Sequence, residues 1–158
     1  MRRIVWLVSC GKSKLDEPAP ARDLYTGDLF RKSLGLALAM QPTTVFVLSA
    51  LHGVVDLDEI VAPYDATLPE RYTVSVAMWA GAVIRQLGLR GYDLYRDRFI
   101  GLAPRRYLDP LREDAAGMGI RDLLDPMRGM MIGERKAWLK RMLIESEGRQ
   151  LGLFAHQA

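Results

Sequence analysis

Two apolar runs, "RIVWLVS" at 3–9 and "TTVFVLSA" at 43–50, are almost unbroken by charge. A strand with one wet face alternates apolar and polar side chains, whereas a near-continuous apolar run marks a strand buried on both faces. Such strands need helices above and below them, and hence parallel pairing through crossover connections. The intervening sequences supply the helices. Thr26 is placed to cap one in which Leu29, Phe30, Leu34, Ala37 and Leu38 share a face, and Gln41-Pro42 stops it. Residues 73–87 repeat Val74, Ala77, Met78, Gly81, Ile84 and Leu87 at helical spacing. "DRFIGLAP" at 97–104 reads as a third strand, and "RRYLDPLREDAAG" begins a helix after it. A last helix over 134–147 turns Trp138, Leu139, Met142 and Leu143 inward. The expected fold class is α/β, a single three-layer domain with a mostly parallel central sheet. It occupies residues 1–150, with 151–158 as a frayed tail. Between 51 and 72 lies a long irregular stretch with Gly53, Pro63 and Pro69, and a loop of that length in a compact domain is usually functional.

At 158 residues the chain suits one domain with one core. No apolar run approaches the roughly 18–20 residues that span a bilayer. The opening "MRRIVWLVSCGKSK" imitates a signal peptide only weakly, since its apolar stretch is short and no A-x-A-like site follows. A cytoplasmic protein with no membrane association is expected. One cysteine, Cys10, precludes an intramolecular disulfide, and two histidines, His52 and His156, argue against structural zinc. No metal and no cofactor are expected, and the oligomeric state is left open.

The net charge of +3 matters less than its distribution. Residues 1–14 hold Arg2, Arg3, Lys12 and Lys14 without an acid, and 51–70 hold five acids without Lys or Arg. Residues 90–112 return to basic with six arginines. The pattern is either ordinary solvated charge or a basic cleft, and the cleft requires the first and third segments to be neighbours.

In a parallel α/β sheet, ligands bind beyond the carboxyl ends of the strands. That rule selects "SCGKSK", "SALHG" and "GLAPRRY". The first carries Gly-Lys-Ser but lacks the upstream glycine and the following helix of a phosphate loop, so a nucleoside-triphosphatase is excluded. What remains is a tight turn with Ser9, Ser13, Cys10, Lys12 and Lys14. Lys12 is a candidate anion ligand, base or nucleophile, or else a solvated lysine. Cys10 is a small core residue or, with His52 as its base, a nucleophile. The second end offers His52, Gly53 for close backbone approach, Tyr64, and Asp65 as base or water-positioning carboxylate. The third sets Arg105, Arg106 and Tyr107 at a helix start, where N–H groups already favour anions.

In this order the three segments resemble the YaaA family and its shorter bacterial and phage relatives. Ser9-Cys10-Gly11-Lys12 stands at that family's S-P-A-K turn. "SALHGV" with "APYD" stands at its S-G-L-Y-G-V and Q-P-Y-R elements, and "LAPRRY" at L-A-S-x-x-Y. The matched blocks cover roughly a third of the chain. His52 replaces a tyrosine and Asp65 an arginine, so the substrate is expected to differ; with a shorter chain, the helical DNA-binding additions of the longer members are expected to be missing. The resemblance implies a DNA-glycosylase-like architecture and a link to DNA damage and the peroxide stress response, with related domains in enzymes of modified bases such as 7-deazaguanines.

The expected partner is therefore DNA or a nucleotide ligand. Lys12, Lys14, Ser9, Ser13, Arg105 and Arg106 would hold phosphate, while Ser49 and Gly53 line the pocket. Tyr64 or Tyr107 would stack on a base. His52, Asp65 or Lys12 would serve any cleavage of an N-glycosidic bond. A hydrolase of free nucleotides or nucleosides, and a non-catalytic DNA-binding module, are the alternatives.

Overall fold

A computed structural model describes the backbone of residues 2–155 and the side chains of 2–149. In chain order the elements are β1 (Ile4–Ser9), β2 (Ala19–Pro20), α1 (Ala21–Leu24), α2 (Asp28–Ala39), β3 (Thr44–Ser49), β4 (Gly53–Asp56) and β5 (Ile60–Val61). Then follow α3 (Val74–Leu89), β6 (Arg98–Leu102), α4 (Arg105–Leu108) with a 3-10 turn (Asp109–Leu111), β7 (Leu123–Leu124) and α5 (Ile132–Ala155). The main sheet has the order β4-β3-β1-β6-β7. Strand β1 pairs in parallel with β3 and β6, β6 pairs in parallel with β7, and only β4 is antiparallel.

The two apolar runs are continuous because both faces of their strands are covered. Val5, Leu7, Phe46, Leu48 and Phe99 pack beneath α3. Trp6, Val8, Val45 and Val47 face the opposite way, under α2 and the Leu139 side of α5. The layers are thus helix, sheet, helix. No helix among the described residues is long and apolar enough to cross a membrane.

Several local expectations change. The cap of α2 is Gly27 rather than Thr26, whose N–H instead donates to the Ser13 carbonyl at 3.0 Å. Helix α3 buries Val76, Trp79, Ala80, Val83 and Leu87, leaving Met78 72% exposed and Val74 79% exposed. This helix is apolar nearly all round, so two stripes were open to it. Trp79 settles the choice, because its indole N–H reaches the Ser49 carbonyl at 2.9 Å. The helix expected after β6 stops after four residues, and the Asp109-Pro110-Leu111 turn ends it. Part of the irregular stretch is strand: β4 extends the sheet, and β5 pairs with β2. Helix α5 continues to Ala155, so five residues of the expected tail are helical, and His156 lies outside the described residues.

The amino-terminal basic block is split by β1. Arg2 and Arg3 sit at the strand's opposite end from Lys12, ion-paired to Asp122 and Asp97. Burial resists ionisation of Asp97, yet hydrogen bonds from the Arg3 side chain and from the Arg3 and Asp93 N–H groups hold its carboxyl below the usual range.

Candidate active site at the carboxyl edge of the sheet

The three strand ends meet. The Cys10 N–H donates to the Leu48 carbonyl at 2.9 Å, the Ala50 N–H reaches Cys10 Sγ at 3.4 Å, and Sγ lies 3.6 Å from the Tyr107 hydroxyl. Helix α2 carries the chain from β1 to β3 over one face, and α3 returns it to β6 over the other. The chain diverges at β1, which opens a crevice between the ends of β1 and β6.

Residues 62–72 run across these ends as a strap. Tyr64 anchors its start: Ser49 Oγ donates to the Tyr64 hydroxyl at 2.7 Å, and the Tyr25 hydroxyl lies 2.6 Å away. Ser49 Oγ also accepts the N–H groups of Leu51 and His52, at 3.2 and 3.0 Å. Burial pushes the Tyr25 phenol up to about 12 and raises Tyr64 and Tyr107 as well, so all three remain neutral hydroxyls. The Lys14 ammonium sits 4.4 Å from the Tyr64 ring centre, and the His52 ring meets that ring edge-on at 5.3 Å. Leu68, buried with Trp79 and Tyr107, is the second anchor.

Beyond Leu68 the strap forms one wall of a cleft of about 590 Å³, lined by Glu70, Arg71 and Tyr72 opposite Pro104, Arg105 and Arg106. Tyr72 is 70% exposed. The cations here are not equivalent. Asp109 gathers Arg105 at 3.1 Å, Arg128 at 3.5 Å and Arg112 at 3.6 Å. Arg71 and Arg106 have no carboxylate partner among the described residues, and Arg106 Nε is buried without any hydrogen bond. An unsatisfied donor of that kind on a cleft wall calls for water or a ligand.

The residues expected at the site divide accordingly. Arg105 and Arg106 line the cleft. Ser9 lines a smaller cavity beside it. Lys12 and Ser13 are exposed on the turn after β1, where the Lys12 carbonyl accepts the Lys14 ammonium at 3.2 Å. His52 and Asp65 are exposed and outside the cleft lining. Cys10 Sγ engages Tyr107 and Ala50 rather than the His52 ring.

Three expectations are corrected. Ser49 is fully buried and does not line a pocket; its hydroxyl is consumed in holding the strap. Tyr107 is 3% exposed with Trp79 edge-on at 5.5 Å, so it offers no face to a base. Gly53 admits a protein side chain rather than a ligand. At its φ of +77°, an added Cβ would fall 2.3 Å from Gln86 Oε1, which accepts the Val54 N–H at 2.7 Å.

Sequence reasoning marked the stretch over 51–72 as functional but did not single out Glu70, Arg71 and Tyr72 at its end. It also missed Asp125 and Arg135. Asp125 directly follows β7, the fourth parallel strand, whose two residues carry no strand pattern. Its carboxylate oxygens are buried with no well-formed side-chain partner among the described residues, and burial raises its pKa against the opposing pull of Arg135 and of the Met127 N–H. Arg135 reads as one more polar residue on an amphipathic helix.

Layering and crevice together define a three-layer α/β domain with an arginine-bearing cleft at the carboxyl edge of its sheet. The chain belongs to the Family of unknown function (DUF6884), which it matches over residues 5–141, a span that includes every cleft residue and Arg135. No curated protein matches it significantly.

Proposed function

We propose that the protein binds a nucleotide unit, within DNA or free, in the 590 Å³ cleft between strap and α4. The observation that carries this reading is the pair of arginines without carboxylate partners among the described residues, Arg71 and Arg106, on a cleft that also presents the exposed Tyr72 ring. Guanidinium groups suit phosphate oxygens, and a phenol ring provides a stacking platform for a base. The volume falls within the range of small-molecule sites. The likeness of the three strand-end segments to the YaaA family points the same way.

A glycosylase-like reaction would use water as nucleophile at the sugar carbon, with the base departing and taking a proton. His52 and Asp65 stand outside the cleft, and of the two carboxylates that line it Asp109 is held in ion pairs with three arginines, which leaves Glu70 as the candidate base for that water.

One observation favours a free nucleotide over a polymer. Asp109 ties Arg105, Arg112 and Arg128 into ion pairs, so these guanidinium groups are engaged within the protein rather than free to follow the phosphates of a polymer, although one carboxylate leaves the group net positive. Titrating labelled single- and double-stranded DNA and nucleoside monophosphates across a salt series separates the two. DNA affinity that falls steeply with salt supports the polymer. Tighter, weakly salt-dependent monophosphate binding supports the free nucleotide, and binding of neither overturns the proposal.

A further inference from the structure

A second cavity, of about 60 Å³, lies between the ends of β1 and β6. Ser9, Gly11, Ser33, Ala103, Pro104 and Arg135 contribute to its wall. Arg135 is the unusual member, because it is only 9% exposed. Its Nε donates to the Met130 carbonyl at 3.0 Å and its Nη1 to the Ala103 carbonyl at 3.2 Å. Those bonds fix the guanidinium plane but leave its charge unanswered. Among the described residues Arg135 forms no ion pair, and its Nη2 has no hydrogen-bond partner. Asp125 is close enough to be felt electrostatically, yet its oxygens accept nothing from Arg135.

Buried charges in proteins are ordinarily paired or bound to a ligand of opposite sign, since desolvating one alone costs several kcal/mol. We propose that this cavity is a subsite for a phosphate-type oxyanion, held by Arg135 against the Ser9–Gly11 turn and the Ser33 hydroxyl. The space has room for about four water molecules, comparable to one tetrahedral oxyanion. A guanidinium fork with serine hydroxyls on the same cavity wall is the donor set such an anion prefers, here set among the apolar side chains of Leu29, Phe30, Leu102 and Met127. Pro104 walls both this cavity and the larger cleft, so the oxyanion is either inorganic phosphate or the phosphate of a nucleotide reaching past Pro104. The subsite goes beyond the nucleotide reading and stands even if the cleft binds no base.

The test is an NMR titration of the intact protein with inorganic phosphate, against chloride at matched ionic strength, following the Gly11 amide and Arg135 Nε–H signals. Saturable shifts are expected in the wild type, with affinity at least about tenfold weaker in Arg135→Gln, whose amide can still reach the Met130 carbonyl but which loses the charge and the donor to Ala103. No saturable shift with phosphate or with a nucleoside monophosphate overturns the proposal, as does unchanged affinity in Arg135→Gln. If that variant does not fold, Ser33→Ala replaces it: weaker phosphate binding supports the subsite, and unchanged binding overturns it. Shifts produced by the monophosphate alone assign the subsite to the nucleotide's own phosphate. Arg106→Ala separates the two sites, because it should abolish nucleotide binding in the cleft while leaving the inorganic phosphate shifts intact.

Discussion

The Tyr64 hydroxyl lies 2.7 Å from Ser49 Oγ, and this contact ties the strap to the end of β3. The same hydroxyl lies 2.6 Å from that of Tyr25, so one phenol satisfies two buried partners. Tyr64→Phe leaves both without it. The expected loss of stability is about 1–3 kcal/mol, read as a lower urea midpoint with unchanged slope. Hydrogen exchange should accelerate across residues 62–72.

Tyr72 projects into solvent from the cleft wall, so its truncation should separate binding from folding. Tyr72→Ala is expected to weaken nucleotide binding by about 1–3 kcal/mol. The melting temperature should hardly change, as for exposed positions generally. His52→Ala and Asp65→Asn should leave the same affinity within about twofold, because neither residue lines the cleft.

Gly53→Ala tests why that position is glycine. The positive φ alone costs a non-glycine residue about 1–3 kcal/mol, and the new methyl would displace Gln86 from its bonds to the Val54 N–H and the His52 carbonyl. A fall in thermal stability is expected, together with altered amide signals at Val54. A neutral outcome would return Gly53 to the role of ligand approach.

Asp125 gives the fold a pH dependence of known sign. Burial raises its carboxyl pKa in the folded protein. The folded state therefore keeps this proton at pH values where the unfolded chain has released it. Its contribution is complete below the unfolded pKa and is lost as pH rises through the folded one. Asp125→Asn should flatten melting temperature against pH across that window and raise it, relative to the wild type, on the alkaline side.

The outcome of reading the chain depended on how much each element relied on its own pattern. Strands β1 and β3 were legible because six-residue runs flanked by turns are long enough to declare burial on both faces. Strand β4 was not, since Gly53–Asp56 is four residues inside a stretch rich in acids and turn formers, and only its pairing with β3 makes it a strand. Helix α3 was legible as a helix but not in rotation, because Val74 and Met78 are as apolar as Val76 and Trp79. The carboxyl-end rule selected strand ends that do come together, through the Cys10–Tyr107 and Cys10–Ala50 contacts. It did not reveal that Ser49, Tyr107 and Gly53 serve the scaffold. Nor could it reveal Arg135, which enters the wall of the small cavity beside the cleft from a helix more than a hundred residues beyond β1.

Val61, which ends β5, and Tyr64 and Leu68 within the strap are each packed against the core, while Asp65, Glu70, Arg71 and Tyr72 are exposed between and beyond these points. Structural constraint and chemical identity are thereby assigned to different positions of one short segment. Such a segment is evolvable: substitutions at its exposed positions can exchange one ligand for another while the three pinned residues keep the backbone path. Specificity within this fold can thus drift along a dozen residues without the sheet having to change.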